Sequence, residues 1–336
     1  MYNPSDIGKK GVIFGLPYSV AESDLVFLPI HLDVTASYGD GTSKAPNKIL
    51  AESSQLDLSL LQISNPWELK MAMHPPIVSK SKNEIHRGRA KSVIKSLESG
   101  KQVDQEQVDF VNEFCEQEHE KIESLCKLFL EENKLVAIVG GDHSSPLGLI
   151  KALAGKGNFG ILQIDAHMDL RKAYEGFEFS HASIMYNALQ NESVSKLVQV
   201  GIRDFCEEEE QVQEHSKDRI QVYYDEKIQE SKIKGSSWLT LCDEIVSHLP
   251  QDVYISFDMD GLDPSLCPNT GTPVPGGLTF QEAIMLIDNV VRTGRKIVGF
   301  DVCETGNHPW DANVASRILF RLAAYSGVSH DLLKLR

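Results

Sequence analysis

Short apolar segments recur along the chain and are separated by stretches with helical periodicity. Segments that are apolar at nearly every position are typical of strands buried on both faces of a sheet. The sequence therefore predicts strands at Leu25–Pro29, Leu135–Val139, Phe159–Ile164, Leu197–Val200, Ile220–Tyr223, Val253–Phe257 and Ile297–Phe300.

Amphipathic stretches lie between these strands. Ile122, Leu125, Cys126 and Phe129 follow the spacing of one helix face, within a predicted helix over Val108–Glu132. Further helices are predicted at Phe280–Thr293 and Ala312–Ala324. The alternation of strands and helices favours a parallel sheet with helices on both faces.

Two other stretches are harder to interpret. Residues 67–107 are polar and weakly patterned, and we expect a surface excursion there. Glu207–Glu210 is expected to be a solvated face or the start of a helix. Since no internal repeat or Pro-rich or Ser-rich linker interrupts the pattern, we expect one domain over residues 1–336.

Composition and charge narrow the class of protein. The 336 residues carry a formal net charge of −15, which disfavours binding to nucleic acid or to an anionic membrane. The charge would attract a cationic substrate, although solubility alone also explains it. The 6 cysteines form no CxxC pair, and Met1–Gly15 lacks the apolar core of a signal peptide. We therefore expect a cytoplasmic protein with reduced thiols.

Chemistry-bearing residues follow three of the predicted strands. Gly140–Ser144 reads GGDHS, Asp165–Asp169 reads DAHMD, and Asp258–Pro264 reads DMDGLDP. Ligands of parallel α/β sheets bind beyond the carboxyl ends of the strands. We expect the three motifs to converge at that edge.

The spacing of these residues favours metal binding. Alternate residues of an extended segment share one face, so each motif can direct several side chains into one site. Many carboxylates in one pocket are costly unless cations neutralise them. Imidazole and carboxylate ligands without thiolate suit Mn²⁺ or a similar ion, and six ligands suit two ions about 3.5–4 Å apart. The candidate ligands are His143, Asp165, His167, Asp169, Asp258 and Asp260.

The motifs GGDHS, DAHMD and SFDMDGLDPS resemble the three signature motifs of the ureohydrolase family, which includes arginases, agmatinases and formimidoylglutamases. The resemblance extends to Asp33–Pro46, which is similar to the family's N-terminal substrate-side segment, and to Gly271–Thr279 and Glu304. It covers most of the chain, and it is closest to the bacterial agmatinase-like branch.

The resemblance implies a three-layer α/β/α fold with a mostly parallel sheet of about eight strands. It also implies two Mn²⁺ ions per subunit, held by the six candidate ligands, although Ni²⁺ or Co²⁺ would fit the same donors. Family members are often trimers or hexamers, so we expect a homo-oligomer.

Two further roles follow from the resemblance. His181, within Ser180–Ala182, corresponds to the histidine that moves a proton to the leaving amine. Glu304 corresponds to the glutamate that holds the guanidinium in a charge-assisted pair. Asp260 or Asp169 would steady the nucleophilic hydroxide and the tetrahedral intermediate.

Arg171 and His181 point to different substrates. An arginine at this position suits a substrate carboxylate, as in formimidoylglutamases, which usually lack the histidine. We favour the alternative that Arg171 turns away and pairs with Glu175 or Glu178. Agmatine, cleaved to putrescine and urea in polyamine biosynthesis, is then the first choice. Guanidinobutyrate, guanidine, arginine and formimidoylglutamate remain alternatives.

Other classes of protein were weighed against a ureohydrolase. A non-catalytic ureohydrolase-like partner protein would be expected to have lost metal ligands. A histone-deacetylase-like hydrolase needs a different arrangement around one zinc. The complete ligand set favours a two-metal enzyme that acts on a small guanidino substrate.

Overall fold

The computed structural model describes residues 8–37, 39, 41–216 and 218–336. Tyr38 and Asp40 of the predicted substrate-side segment, and the first residues of the N-terminal segment, lie outside the described residues. The strands are β1 (Leu25–Pro29), β2 (Ile63–Ser64), β3 (Met71–Met73), β4 (Leu135–Val139), β5 (Phe159–Ile164), β6 (Val194–Ile202), β7 (Ile220–Tyr224), β8 (Asp252–Asp258), β9 (Lys296–Cys303) and β10 (Lys334–Leu335).

An 8-stranded sheet with the order β3-β1-β4-β9-β8-β5-β6-β7 forms the middle layer. All of its paired strands run parallel. Strands β2 and β10 form a separate antiparallel pair. The structure confirms the expected three-layer α/β/α architecture with eight strands in its parallel sheet.

Both faces of the sheet are buried, which explains why the strands are apolar throughout. In β1, Leu25 and Phe27 pack into one hydrophobic core, and Val26 and Leu28 pack into the other. Successive side chains of a strand point to opposite faces, so one apolar strand serves two cores.

Helices cover the two faces. They are α1 (Ala45–Ser53), α2 (Lys80–Glu98), α3 (Gln105–Glu131), α4 (Leu147–Ala154), α5 (Ile184–Leu189), α6 (Glu207–His215), α7 (Asp225–Ile233), α8 (Trp238–Ser247), α9 (Phe280–Arg292) and α10 (Pro309–Ser329). Local sequence fixes several of their ends. Thr279 and Glu282, for example, form a reciprocal capping box at the start of α9.

The expectation of a surface excursion at residues 67–107 was wrong, because this stretch contains β3 and the long helix α2. The buried positions of α2 include Asn83 and Arg87 beside Ala90, Val93 and Ile94. A helix face that buries polar side chains gives a weak hydrophobic pattern, so sequence periodicity could not reveal it.

Other expectations were confirmed or refined. The strands predicted at Leu197–Val200 and Ile297–Phe300 are longer in the structure, as β6 and β9. Glu207–Glu210 starts α6, although Glu209 is buried. All six cysteines are free thiols, as expected, and Cys115 and Cys126 are buried in the core. No helix among the described residues is long and apolar enough to cross a membrane.

Candidate metal centre and catalytic cavity

The central strands β4, β9, β8 and β5 are neighbours, and their carboxyl ends carry the predicted site residues. His143 lies in the turn after β4, and Asp165 follows β5. Asp258 is the last residue of β8, and Glu304 follows β9. Parallel strands end at the same edge, so residues far apart in sequence meet there.

The inner part of the site surrounds the Nδ1 atom of His143. This atom lies 3.0 Å from Asp165 Oδ2, 2.9 Å from Asp169 Oδ2 and 3.3 Å from Asp258 Oδ2. All four side chains are buried. Potential ligand atoms of His143, Asp165 and Asp258 lie close enough together to hold one ion.

The outer part of the site surrounds the Nδ1 atom of His167. This atom lies 3.1 Å from Asp260 Oδ2 and 3.6 Å from Asp165 Oδ1. Asp165, His167 and Asp260 form a second group that could hold an ion. Asp165 belongs to both groups, which is the arrangement expected of a carboxylate that bridges two ions.

Hydrogen bonds outside the two groups orient His143. Its Nε2 atom lies 2.8 Å from Ser256 Oγ, and the Ser256 hydroxyl donates to Asp301 Oδ2 at 2.9 Å. Tyr254 donates to the same oxygen. Since the Ser256 proton is committed to Asp301, the His143 Nε2 group donates to Ser256, and the lone pair of a neutral ring lies on Nδ1.

Two buried glutamines support Asp165. Gln163 Nε2 donates to Asp165 Oδ2 at 2.7 Å, and Gln199 Nε2 donates to Gln163 Oε1 at 2.6 Å. The backbone N–H of His167 donates to the other oxygen, Asp165 Oδ1, at 2.7 Å. These bonds fix the carboxylate that is common to both groups.

A metal ion fits the inner group on chemical grounds. His143 Nδ1 is buried, faces three carboxylates and has no hydrogen-bond partner among the residues that the structure describes. Burial and the neighbouring Asp260 and Asp165 raise the pKa of Asp258 well above its usual range. Burial and Asp165 raise the pKa of Asp169 to about 7. A lone pair and several carboxylates around one point are stabilised by a divalent cation.

Glu304 reaches the site from the end of β9. Its Oε1 atom accepts a hydrogen bond from the His143 backbone N–H at 2.9 Å, and Thr270 Oγ1 donates to its carbonyl at 2.6 Å. Glu304 and Asp169 both have a φ of 55°, which is uncommon for residues other than glycine. Burial and the nearby Asp142 raise the pKa of Glu304 well above its usual range. A cationic partner would relieve this cost.

A cavity of about 150 Å³ opens beside the outer group. Its lining residues include Ser37, His167, Asp169, Arg171, Tyr174, His181, Asp204 and Thr272. His181 begins a short 3₁₀ turn that Ser180 caps. Burial lowers the pKa of His181 to about 3, so its ring is neutral.

Arg171 lines this cavity but does not pair with either carboxylate expected from sequence. Its Nε atom lies 3.9 Å from Glu209 Oε2, and its guanidinium lies 4.8 Å from the centre of the Tyr174 ring. The expected pairing with Glu175 or Glu178 was therefore wrong. Glu209 is distant in sequence and belongs to an acidic stretch, and α6 brings it to the cavity.

Five residues that support the site were not predicted from the sequence: Gln163, Gln199, Ser256, Asp301 and Arg203. Arg203 donates to the carbonyls of Asp260, Leu262 and Val274, and so ties the turn after β8 to the loop at residues 271–277. A signal for the first four was present: each is a polar residue inside an otherwise apolar strand. A buried polar residue in such a position needs a partner.

Comparisons with known proteins identify the family of the chain. A model of the arginase family matches residues 23–324. An N(1)-aminopropylagmatine ureohydrolase of Thermus thermophilus is 31% identical over 297 residues, which are 87% of this chain and 86% of that protein. An agmatinase of Pyrococcus horikoshii is 32% identical over 177 residues, 51% of this chain and 54% of that protein.

Solved structures share the fold. The proclavaminate amidino hydrolase of Streptomyces clavuligerus superposes with a TM-score of 0.73 at 21% identity, covering 95% of this chain and 97% of that one. The agmatine ureohydrolase of Thermoplasma volcanium gives a TM-score of 0.70 at 22% identity and covers 94% of each chain.

Proposed function

Because the chain belongs to the arginase family, we propose that it is a binuclear-metal hydrolase that cleaves a guanidino group to urea and an amine. The observation that carries the proposal is the pair of ligand groups that share Asp165 at the carboxyl edge of the sheet. We further propose two Mn²⁺ ions per subunit, with Ni²⁺ or Co²⁺ as alternatives, in a cytoplasmic homo-oligomer. His143, Asp165, His167, Asp169, Asp258 and Asp260 would hold the ions.

The two ions, when bound, lower the pKa of a water molecule and so supply hydroxide at neutral pH. Side chains of the protein orient the ligands and the substrate. Ser256 and the glutamine pair keep His143 and Asp165 in their ligating orientations. Asp169 lines the cavity, and Asp260 Oδ2 accepts a hydrogen bond from Thr272, which also lines it; both carboxylates are proposed to accept hydrogen bonds from the reacting centre.

Glu304 is proposed to bind the guanidinium. One of its oxygens accepts the His143 N–H, and the other, Oε2, lies on the side of Gly271. Gly271 leaves room there, because a Cβ at that position would come within 3.3 Å of Glu304 Oε2. A guanidinium donates two parallel hydrogen bonds to a carboxylate and would favour its ionised form.

His181 is proposed to move a proton to the leaving amine. Its neutral ring has one donor and one acceptor nitrogen, as a proton relay requires. The ring lies in the same cavity as His167 and Asp169, so the relay needs no long path. Tyr174 contacts it edge-on, with ring centres 6.0 Å apart, and limits its movement.

For the substrate, we propose a guanidino amine of the agmatine type. Asp204, which is largely exposed, and Glu209, which is buried, both line the cavity, so two carboxylates accompany Arg171 there. N(1)-aminopropylagmatine is the second candidate, because the relatives similar over most of the chain are named for it. Arg171, paired with Glu209 and placed over Tyr174, is proposed to shape the wall of the cavity beside the substrate chain.

The experiment is a product assay with purified, Mn²⁺-loaded protein. Urea would be measured with agmatine, N(1)-aminopropylagmatine, guanidinobutyrate, guanidine and arginine, and formamide with formimidoylglutamate. We expect urea from one of the two guanidino amines. Formamide, lost on Arg171→Ala substitution, would mean instead that Arg171 binds a substrate carboxylate. No product from any compound would contradict the proposal.

A further inference from the structure

Helix α2 contacts the loop at residues 33–43, which we call the substrate-side loop. Tyr38 and Asp40 of this loop lie outside the described residues. Ser37 of the loop lines the catalytic cavity. Gly39 of the loop packs against Gly271, so closely that a Cβ on Gly39 would lie 2.7 Å from Gly271 Cα. The next residue, Thr272, donates to Asp260 Oδ2 at 3.3 Å. The loop therefore forms one wall of the site.

Arg87 of α2 holds this loop by its backbone. Its Nη1 group donates to the carbonyl of Asp33 and, at 3.0 Å, to that of Ala36. Its Nη2 group donates to the carbonyl of Gly39 at 3.4 Å. One buried guanidinium thus contacts three carbonyls that are spread along the loop.

Asn83, one turn earlier on the same helix, holds the start of the loop. Its Nδ2 group donates to Asp33 Oδ1 at 2.8 Å, and the Asp33 backbone N–H donates to Asn83 Oδ1 at 3.1 Å. The other Asp33 oxygen accepts the hydroxyl of Ser43 at 2.7 Å. Asp33 therefore joins the two ends of the loop to α2.

The buried polar side chains of Arg87 and Asn83 would be unfavourable if α2 served only to pack against the sheet. Arg87 and Asn83 occupy positions at which α2 would otherwise pack apolar side chains, and Arg87 is 8% exposed. Burying a guanidinium is unfavourable unless its donors are satisfied. The carbonyl of Asp33 also accepts the Ala36 N–H at 3.4 Å, so Arg87 reinforces a turn that the loop itself forms.

We propose that Arg87 is a positioning residue for guanidino hydrolysis, and that with Asn83 it fixes the substrate-side loop against Gly271 and the cavity. The proposal rests on the proposed function only for its kinetic readout. Lysine cannot replace Arg87 fully, because a single ammonium lacks the planar set of donors that spans three carbonyls. Arg89 is an exposed arginine on the same helix and provides a matched control.

The kinetic test uses the full-length, Mn²⁺-loaded protein and the guanidino compound that it hydrolyses. In Arg87→Ala we expect KM to rise about tenfold or more with a smaller change in kcat, because the loop wall is misplaced but the metal ligands are not. Arg87→Lys should lie between this variant and the unchanged protein. Arg89→Ala should match the unchanged protein, and all should bind the same amount of Mn²⁺. A KM within about twofold of the unchanged protein in Arg87→Ala would overturn the proposal.

Hydrogen exchange of the backbone amides gives a readout that needs no substrate. We expect faster exchange over residues 33–43 in Arg87→Lys and Asn83→Ala than in Arg89→Ala, with β4, β5 and β8 unchanged. Equal exchange in all three variants would overturn the positioning role. If the unmodified protein hydrolyses no guanidino compound but loop exchange is faster in the variants, the proposed function is contradicted. The positioning of the loop by Arg87 and Asn83 is then still supported. If Arg87→Ala fails to fold, Arg87→Lys and Asn83→Ala test the positioning role in its place.

Discussion

Buried histidines occupy two contrasting regions of the molecule. At the carboxyl edge, burial alone would lower the pKa of His167, but Asp260 and Asp165 raise it to about 12. In the helical layer, His119 of α3 is fully buried, and neither of its ring nitrogens has a hydrogen-bond partner within the described part of the chain. Burial, assisted by the charge of Lys151, lowers its pKa to about 3.

The difference shows that burial alone does not decide the charge state of a side chain, because neighbouring carboxylates can outweigh it. The carboxyl edge concentrates carboxylates and so stabilises positive charge, whether it is a proton or a metal ion. The layer around His119 stabilises only the neutral ring. Substitutions in the two regions should therefore have different consequences.

Removing the shared carboxylate should have the largest effect. In Asp165→Asn, both ligand groups lose a member, and the buried amide cannot supply the lost charge. We expect weaker binding of both ions and a fall in kcat of about a thousandfold or more. Metal analysis and urea release would measure this. Asp263→Asn, outside both groups, is the control. Full metal content and normal turnover in Asp165→Asn would contradict the bridging role.

His181→Ala should reduce turnover without loss of metal, because His181 lies in the cavity but in neither ligand group. We expect kcat to fall by about 10²–10⁴-fold. His215→Ala, an exposed histidine on α6, should be neutral. The proposed mechanism fails if His181→Ala and Asp260→Asn both keep unmodified turnover at full metal occupancy.

Ser256→Ala would sharpen the contrast at a single histidine. It removes the acceptor that fixes the ring of His143 but leaves every ligand in place. Loss of such a partner lowers metal affinity by about 10–100-fold. Competition with a chelator would measure the change, with Ser316→Ala in α10 as the control. Unchanged affinity would mean that the surrounding packing alone orients His143.

The smallest effect concerns His119 and the pH dependence of stability. Its pKa is lower in the folded than in the unfolded chain, so its contribution is full above about pH 6.5 and is lost as the pH falls towards 3. Between pH 7.5 and 5.5, we expect His119 to account for a loss of about 1.4 kcal/mol in the free energy of unfolding.

His119→Leu should remove that part of the pH dependence. Urea unfolding of both proteins at the two pH values would measure it, and the difference between the proteins cancels effects of metal loss common to both. A pH dependence that the substitution leaves unchanged would show that His119 is already protonated or solvated in the folded chain.

Much of the fold and the candidate site could be predicted from sequence. The apolar strands and the motifs that follow them are local features, and both lie where they were expected. Residues such as Asp301 and Gln199 could not be assigned partners, because their contacts come from strands distant in sequence. The role of α2 was hidden for a related reason. Asn83 and Arg87 weaken its apolar pattern, and the loop groups that they contact lie 48–54 residues earlier.

The pairing of Arg171 shows the same limit in the opposite direction. Glu175 and Glu178 were chosen because they are near in sequence, whereas α6 supplies Glu209. Glu209 is already fixed by the backbone N–H groups of Leu170 and Cys206, so it is a rigid partner. Proximity in the chain is a poor guide to ion pairs in a fold built from non-local contacts.

The central claim is that the carboxyl edge holds two catalytic ions bridged by Asp165. A Mn²⁺ titration of the metal-free protein, followed by urea release from the guanidino amine that it hydrolyses, tests this claim most directly. If both ions are required, activity rises until two ions are bound per chain and then stays constant. Full activity with one ion per chain, or no urea at any Mn²⁺ concentration, would contradict it.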